Sequence, residues 1–177
     1  MKRFCLIIFS LFITIGIFCC GYSQTISSST TVPTLLQINQ PYEIYGDKLL
    51  SATINKTRIT KLIGHAKLIL KTDKITITAN ELWFYSEEKK LNAFKNVMII
   101  KDDPVNGRIT ATADTAEYYE ADKKAKLTGG AKIVRDKDVL QGDIIKIEFT
   151  SSGPNIEIEG NVNGMVYPKP ESNKPEE

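Results

Sequence analysis

Two short motifs recur in step along this chain, and together they leave few folds open. The first is a small residue, then Asp or Asn, then one residue on an apolar or small one. It occurs as Gly46-Asp47-Lys48-Leu49, Ala79-Asn80-Glu81-Leu82, Ala113-Asp114-Thr115-Ala116 and Gly142-Asp143-Ile144-Ile145. The second is Gly-x-Ala/Val, at Gly64-His65-Ala66, Gly129-Gly130-Ala131 and Gly160-Asn161-Val162, with Lys95-Asn96-Val97 where the glycine is lost. It starts at residues 64, 95, 129 and 160, in steps of 31, 34 and 31. A fixed period of this size with strand chemistry throughout means stacked β units, each burying its apolar face against the next.

The best copy runs from Lys74 to Ile100. Ile75, Ile77 and Ala79 alternate with Lys74, Thr76 and Thr78, the period of a half-buried strand. Glu87-Glu88-Lys89-Lys90 is a charged turn, and Leu91, Ala93, Val97 and Ile99 return from it. The first copy has Leu49, Ala52 and Ile54 as apolar positions, a turn at Asn55-Lys56-Thr57 and a return over 59–70. The third alternates through Ile109 and Ala111, turns at 120–124 and returns through Ala125, Leu127, Ala131 and Ile133. The fourth alternates through Ile145, Ile147 and Phe149, turns at 151–155, and returns through Ile156, Ile158, Val162 and Val166. Ile38 to Tyr45 is expected as a first strand interrupted by Pro41, which suits a sheet edge. No helical period is present. About a dozen short strands without helices must fold over, as a barrel, a sandwich, a jelly roll or a solenoid.

The ends read differently. Lys2-Arg3 precede an uncharged apolar run from Phe4 to Cys20, and Gly21-Tyr22-Ser23 offers a small-x-small cleavage site. Residues 1–23 are read as a secretory signal peptide, with a retained anchor or lipidation at Cys19 or Cys20 as the lesser readings. The three cysteines, Cys5, Cys19 and Cys20, all lie there. A chain cleaved after Ser23 has none left for an oxidising compartment to cross-link. Removing Lys2 and Arg3 brings the formal charge of +2 to about zero, which argues against nucleic acid as a partner. Residues 24–41 read as a flexible lead-in, 42–167 as the β domain, and the Pro- and charge-rich 168–177 as a disordered tail.

Catalytic chemistry finds little to stand on. His65 is the lone histidine, with no second His and no Cys beside it to share a metal, and reads as a surface or turn residue. Asp47, Asn80, Asp114 and Asp143 hold equivalent positions and could stack as a calcium ladder, but turn hydrogen bonding accounts for them better. No Gly-x-Ser-x-Gly elbow is present. Glu87-Glu88 is a solvated turn rather than a glycosidase pair, and Trp83-Phe84-Tyr85 reads as a strand more readily than as a sugar-stacking patch.

Ile109-Thr110-Ala111-Thr112-Ala113-Asp114-Thr115-Ala116-Glu117-Tyr118-Tyr119, followed by Ala125-Lys126-Leu127-Thr128-Gly129-Gly130-Ala131, resembles the OstA-like domain of the lipopolysaccharide transport proteins, the LptA family. The likeness covers residues 42–167, in four copies behind the signal peptide. It implies an all-β fold: a folded-over antiparallel sheet, or β-jelly roll, open at both ends. It implies no enzyme and no cofactor. It implies a periplasmic protein that holds lipopolysaccharide acyl chains in an apolar interior and bridges inner and outer membranes. Like-folded OstA-type domains at both membranes would be its partners, and head-to-tail homo-oligomers an option. The lipid-facing row would be Ile75, Ile77, Phe84, Leu91, Val97, Ile99, Ile109, Ala111, Tyr118, Leu127, Ile133, Ile147, Phe149 and Ile158. From the alternation alone these residues equally form a packed core without a trough. The docking edges would be Tyr42, Ile44 and Tyr45 on the first strand and Val162, Val166 and Tyr167 on the last, because open edges accept added strands. Lys95 departs from the family's glycine, so local backbone geometry is expected to differ there. The length leaves no room for the large barrel that follows this domain in the outer-membrane member. Two alternatives stay open: a membrane-anchored LptC-like docking component, and a non-catalytic carbohydrate-binding β-solenoid.

Overall fold

The structure, a computed structural model, describes residues 36, 38–104 and 107–167. The signal peptide expected at 1–23, the lead-in up to 35 and the tail at 168–177 lie outside these residues. Ten strands are present among them: β1 (Tyr42–Tyr45), β2 (Lys48–Ile54), β3 (Thr57–Leu70), β4 (Ile75–Tyr85), β5 (Lys90–Asp103), β6 (Gly107–Tyr119), β7 (Lys124–Arg135), β8 (Asp138–Thr150), β9 (Gly153–Glu159) and β10 (Asn163–Met165). They form one antiparallel sheet in the order β1-β3-β4-β5-β6-β7-β8-β10, with β2 on β3 and β9 on β8. Every long neighbour is a hairpin partner, so the topology follows from turns alone. Asn55 and Lys56 take φ of 49° and 68°, as a two-residue primed turn requires. Lys74, Lys89 and Lys123 close four-residue turns with φ of 53°, 47° and 52°.

The expected short strands are instead long ones that carry a corner in the middle. β3 to β8 run 11 to 14 residues each. The pairing slips at one place in each ladder from β3 to β8: between Ile63 and Ala66, Thr78 and Glu81, Phe94 and Val97, Thr112 and Thr115, and Thr128 and Ala131. These are the two recurring motifs, lying side by side. On β3, β5 and β7 the corner is a pair of left-handed residues: Gly64 (φ 74°) and His65 (45°), Lys95 (63°) and Asn96 (53°), Gly129 (84°) and Gly130 (54°). Gly160 (68°) and Asn161 (45°) repeat it after β9. Two residues opposing one make a β-bulge, which bends the strand. The Asp or Asn of the first motif sits opposite and ties the bulge down. Asp47 Oδ2 lies 3.0 Å from His65 Nδ1, Asn96 Nδ2 donates to Asn80 Oδ1 at 3.3 Å, and Asn161 Nδ2 donates to Asp143 Oδ2 at 2.9 Å.

The corner also explains the departure from strict alternation. Buried positions step by three across the first motif, from Ala79 to Leu82, Ala113 to Ala116 and Gly142 to Ile145. They step by four across the second, from Leu62 to Ala66, Ala93 to Val97 and Leu127 to Ala131. Each break keeps the apolar face inward on both sides of the bend.

Lys95 and Asn96 adopt the same left-handed pair as the glycine copies, so the expected change of geometry at the lost glycine does not occur. The strain is carried by a lysine instead. Lys95→Gly is expected to stabilise the fold by about 1 kcal/mol, the left-handed penalty less the extra chain entropy of glycine. Urea unfolding of the two proteins would measure it.

One face of this sheet is dry on every long strand. Ile75, Ile77, Leu82, Leu127 and Ile145 have no exposed surface, and the buried residues form one cluster. Among the described residues that face is covered by the sheet itself, with Leu36 and Ile38 beside it, so the bends fold it into two layers. The turns at 71–74 and 136–137, with Pro104 at the end of β5, form one rim, and the turns at 55–56, 86–89, 120–123 and 151–152 the other. The two rims meet: Lys123 Nζ lies 2.6 Å from Asp73 Oδ1, and Lys101 sits over the Phe149 ring at 5.8 Å.

Candidate functional site

The interior between the layers holds the hydrophobic core cluster of the described residues. Ile75, Ile77, Phe84, Leu91, Val97, Ile99, Ile109, Ala111, Tyr118, Leu127, Ile133, Ile147 and Phe149 are all buried in it, and Ile158 packs against it half-buried. The sheet therefore brings together every residue of the expected apolar row. They pack against one another, leaving no open trough among the described residues. A cavity with a volume of about 30 Å³ lies near the rims, lined by Leu68, Leu70, Phe84, Leu91 and Tyr118 among others.

That cavity is capped by a residue the sequence reading passed over. Leu36 belongs to the Ser/Thr-rich lead-in, yet it is 1% exposed and part of the core. The segment behind it is pinned to both rims. Asn39 N donates to Glu120 Oε1 at 2.8 Å, Thr72 N and Asp73 N donate to Gln40 Oε1 at 3.1 and 3.0 Å, and Lys71 N donates to Pro41 O at 3.0 Å. Ile38 to Pro41 are not strand, and β1 begins only at Tyr42.

Asp73 is the centre of the rim seam. It accepts from Lys123 Nζ at 2.6 Å and from Gln40 Nε2 at 2.5 Å, and its carbonyl accepts from Lys101 Nζ at 3.0 Å. Burial pushes its carboxyl up, but the hydrogen bonds from Lys123 and Gln40, with the charges of Lys123 and Lys101, outweigh that and hold it below the usual range. A depressed folded pKa stabilises the folded state above the ordinary carboxylate value of 3.8 and loses that contribution as pH falls through the folded pKa. Thermal unfolding across the acid range should therefore fall more steeply for the wild type than for Asp73→Asn, the two curves converging at the acid end. Parallel curves would mean that the seam does not titrate.

The docking edges need correction. β1 and β10 are indeed terminal in the sheet, but each covers only half an edge; β2 and β9 supply the rest. Tyr42 and Ile44 stand opposite Leu70 and Leu68 and pack half-buried against the core. Tyr45, Val162, Val166 and Tyr167 are exposed. The residues missed are on β2, all seven of which are exposed, with Leu49, Leu50 and Ile54 as its large apolar side chains. Of the apolar positions expected there, Leu49, Ala52 and Ile54, only Leu49 stands opposite a buried residue, Leu62. Leu50, Ala52 and Ile54 instead share the outer face with Lys61, Ile59 and Thr57. Among the described residues no group of three or more His, Cys, Asp or Glu is gathered as a metal site would need.

Residues 63–152 match the family model described as LptA/(LptD N-terminal domain) LPS transport protein. The chain belongs to that family. It is accordingly a protein of lipopolysaccharide transport, in a family of transporters rather than enzymes. The match begins inside β3 and ends before β9, so the strands of both open edges lie outside it. Among solved structures the fold is similar to that of LptH from Pseudomonas aeruginosa, described as the LptA homologous periplasmic component of the conserved lipopolysaccharide transport device. The TM-score is 0.62, over 75% of this chain and 99% of that one, at 13% identity. At that identity the likeness speaks for the fold: the OstA-like jelly roll, an unclosed antiparallel sheet. No curated protein matches the sequence.

Proposed function

We propose that this protein is a periplasmic lipopolysaccharide-binding bridge, carrying lipopolysaccharide from the inner to the outer membrane without catalysis. The observation that carries the reading is an apolar interior that runs the length of a sheet left unpaired at both ends. Each acyl methylene moved from water into it gains about 0.8 kcal/mol. Since the layers are packed, acyl chains enter by parting the rims and replacing layer-to-layer contacts. The seam there is a few polar contacts around Asp73, not a continuous ladder. The residues proposed to face lipid are the buried row from Ile75 to Ile158.

Like-folded domains at either membrane, or further copies of this chain, are proposed to join by strand addition at the β1/β2 and β9/β10 edges. Exposed Leu49, Leu50 and Ile54 at one edge, and Val162, Met165, Val166 and Tyr167 at the other, give apolar surface for such a joint. The anchored alternative turns on residues 4–20, outside the described ones. A photoprobe placed at Leu50 and, separately, at Val166 tests the joint in cells. Adducts to OstA-type domains or to this chain at both positions are expected. Adducts at neither, with the protein folded, would remove the bridge and leave a carrier that diffuses freely.

A further inference from the structure

Four buried side-chain polar atoms lack a hydrogen-bond partner among the described residues: Ser86 Oγ, Asn92 Oδ1, Tyr118 Oη and Glu120 Oε2. Three of them belong to residues that line a single cavity, the one under Leu36. Ser86 and Tyr118 are 5% and 2% exposed. Buried hydroxyls and carboxylates left unpaired are unfavourable, and three at one spot in an otherwise apolar interior call for an explanation. Leu36 supplies one in part. It fills the place with a side chain that can neither donate nor accept. The strap behind it is held by backbone and Gln40 contacts at the rims, one of them to the other oxygen of Glu120.

The three groups have complementary roles. Tyr118 keeps its phenolic proton, because burial and then the charges of Asp73 and Glu120 push its pKa up. It is therefore a donor. Ser86 can donate as well, and Glu120 Oε2 accepts. Two donors and an acceptor beside an aliphatic slot match one kind of ligand segment: an acyl chain carrying an amide, or a hydroxyl beside a carbonyl, at its polar end.

We propose that the cavity is a subsite for the polar end of such an acyl chain, with Leu36 as its stand-in in the unloaded protein. The ligand's carbonyl accepts from Tyr118 and Ser86, its N–H or O–H donates to Glu120, and its first methylenes take the place of the Leu36 side chain against Leu70 and Phe84. The proposal rests on the carrier reading and narrows it to amphiphiles with a hydrogen-bonding head on the chain.

Displacement of a fluorescent fatty acid from the full purified protein tests it. The competitors are N-dodecanoyl ethanolamine and its ether analogue, which has the same chain but no amide. The amide is expected to bind about tenfold more tightly, the size of one or two buried hydrogen bonds. Tyr118→Phe and Ser86→Ala, which remove an oxygen and little else, should each shrink that gap. Leu36→Ala should tighten both. Equal binding of the two competitors would overturn the subsite while leaving the carrier intact, as would a preference that both variants retain. Melting temperatures lowered in the two variants without a change in discrimination would mean that the groups only hold water. If the fatty acid itself does not bind, the carrier reading falls with it.

Discussion

Leu127→Asp is expected to leave the protein without a cooperative unfolding transition. Leu127 has no exposed surface and stands between Ala116 on β6 and Ile145 on β8. Truncating such a leucine costs about 2–5 kcal/mol in lost burial and cavity. The carboxylate adds a desolvation penalty of several kcal/mol, because the side chains paired with it on either side, Ala116 and Ile145, are apolar. The sum is on the order of the whole stability of a domain this size, about 5–15 kcal/mol. The neighbour Lys126 is exposed on the opposite face, and Lys126→Ala should stay within about 0.5 kcal/mol of wild type. Circular dichroism through a urea titration separates the two. A near-normal transition for Leu127→Asp would mean that the interior is open to water rather than packed.

Gly129→Val is expected to cost about 3 kcal/mol or more. At φ 84° a β-branched residue meets the left-handed penalty in its severest form. A Cβ there would also stand 2.6 Å from Asp114 Oδ2, so the motif's own carboxylate must move. Gly130, the second residue of the same pair, has open space where a Cβ would lie, and Gly130→Asn should cost far less. The contrast separates crowding from conformation. Equal losses at the two positions would mean that the backbone alone sets the corner. Because the bend keeps the two layers facing each other, Gly129→Val should also lower lipid binding in whatever fraction remains folded.

The two motifs were legible before the structure because they are local, but that they mark a corner inside one long strand, rather than the ends of short ones, was not. Small-Asp and Gly-x-Ala/Val recur at a fixed interval, and a bulge with a carboxylate beside it is built from neighbours on adjacent strands of a hairpin. The inward row was legible for the same reason: a period of two, interrupted in a regular way, still marks one face. Lys95 was misjudged because a residue's identity was taken to set φ, whereas ladders on both sides of the bulge hold it there. β2 was missed as an exposed edge because alternation marks two faces without saying which is covered; near an edge, neither is. Leu36 and the Asp73–Lys123 contact were invisible, since they join residues far apart in sequence through the folding of the sheet. No periodicity carries that information, and a Ser/Thr-rich setting masks a single leucine.

The central claim is that the buried row holds lipid in the working protein. It is tested most directly by photocrosslinking in cells with the probe at Ile77 or Ile99, which face each other across β4 and β5 in the interior. A covalent lipopolysaccharide adduct at these positions is predicted, and none at Thr76 or Thr78 on the outer face. No adduct at any inward position, with the protein folded and exported, would mean that the row is only a packed core and that lipid travels elsewhere.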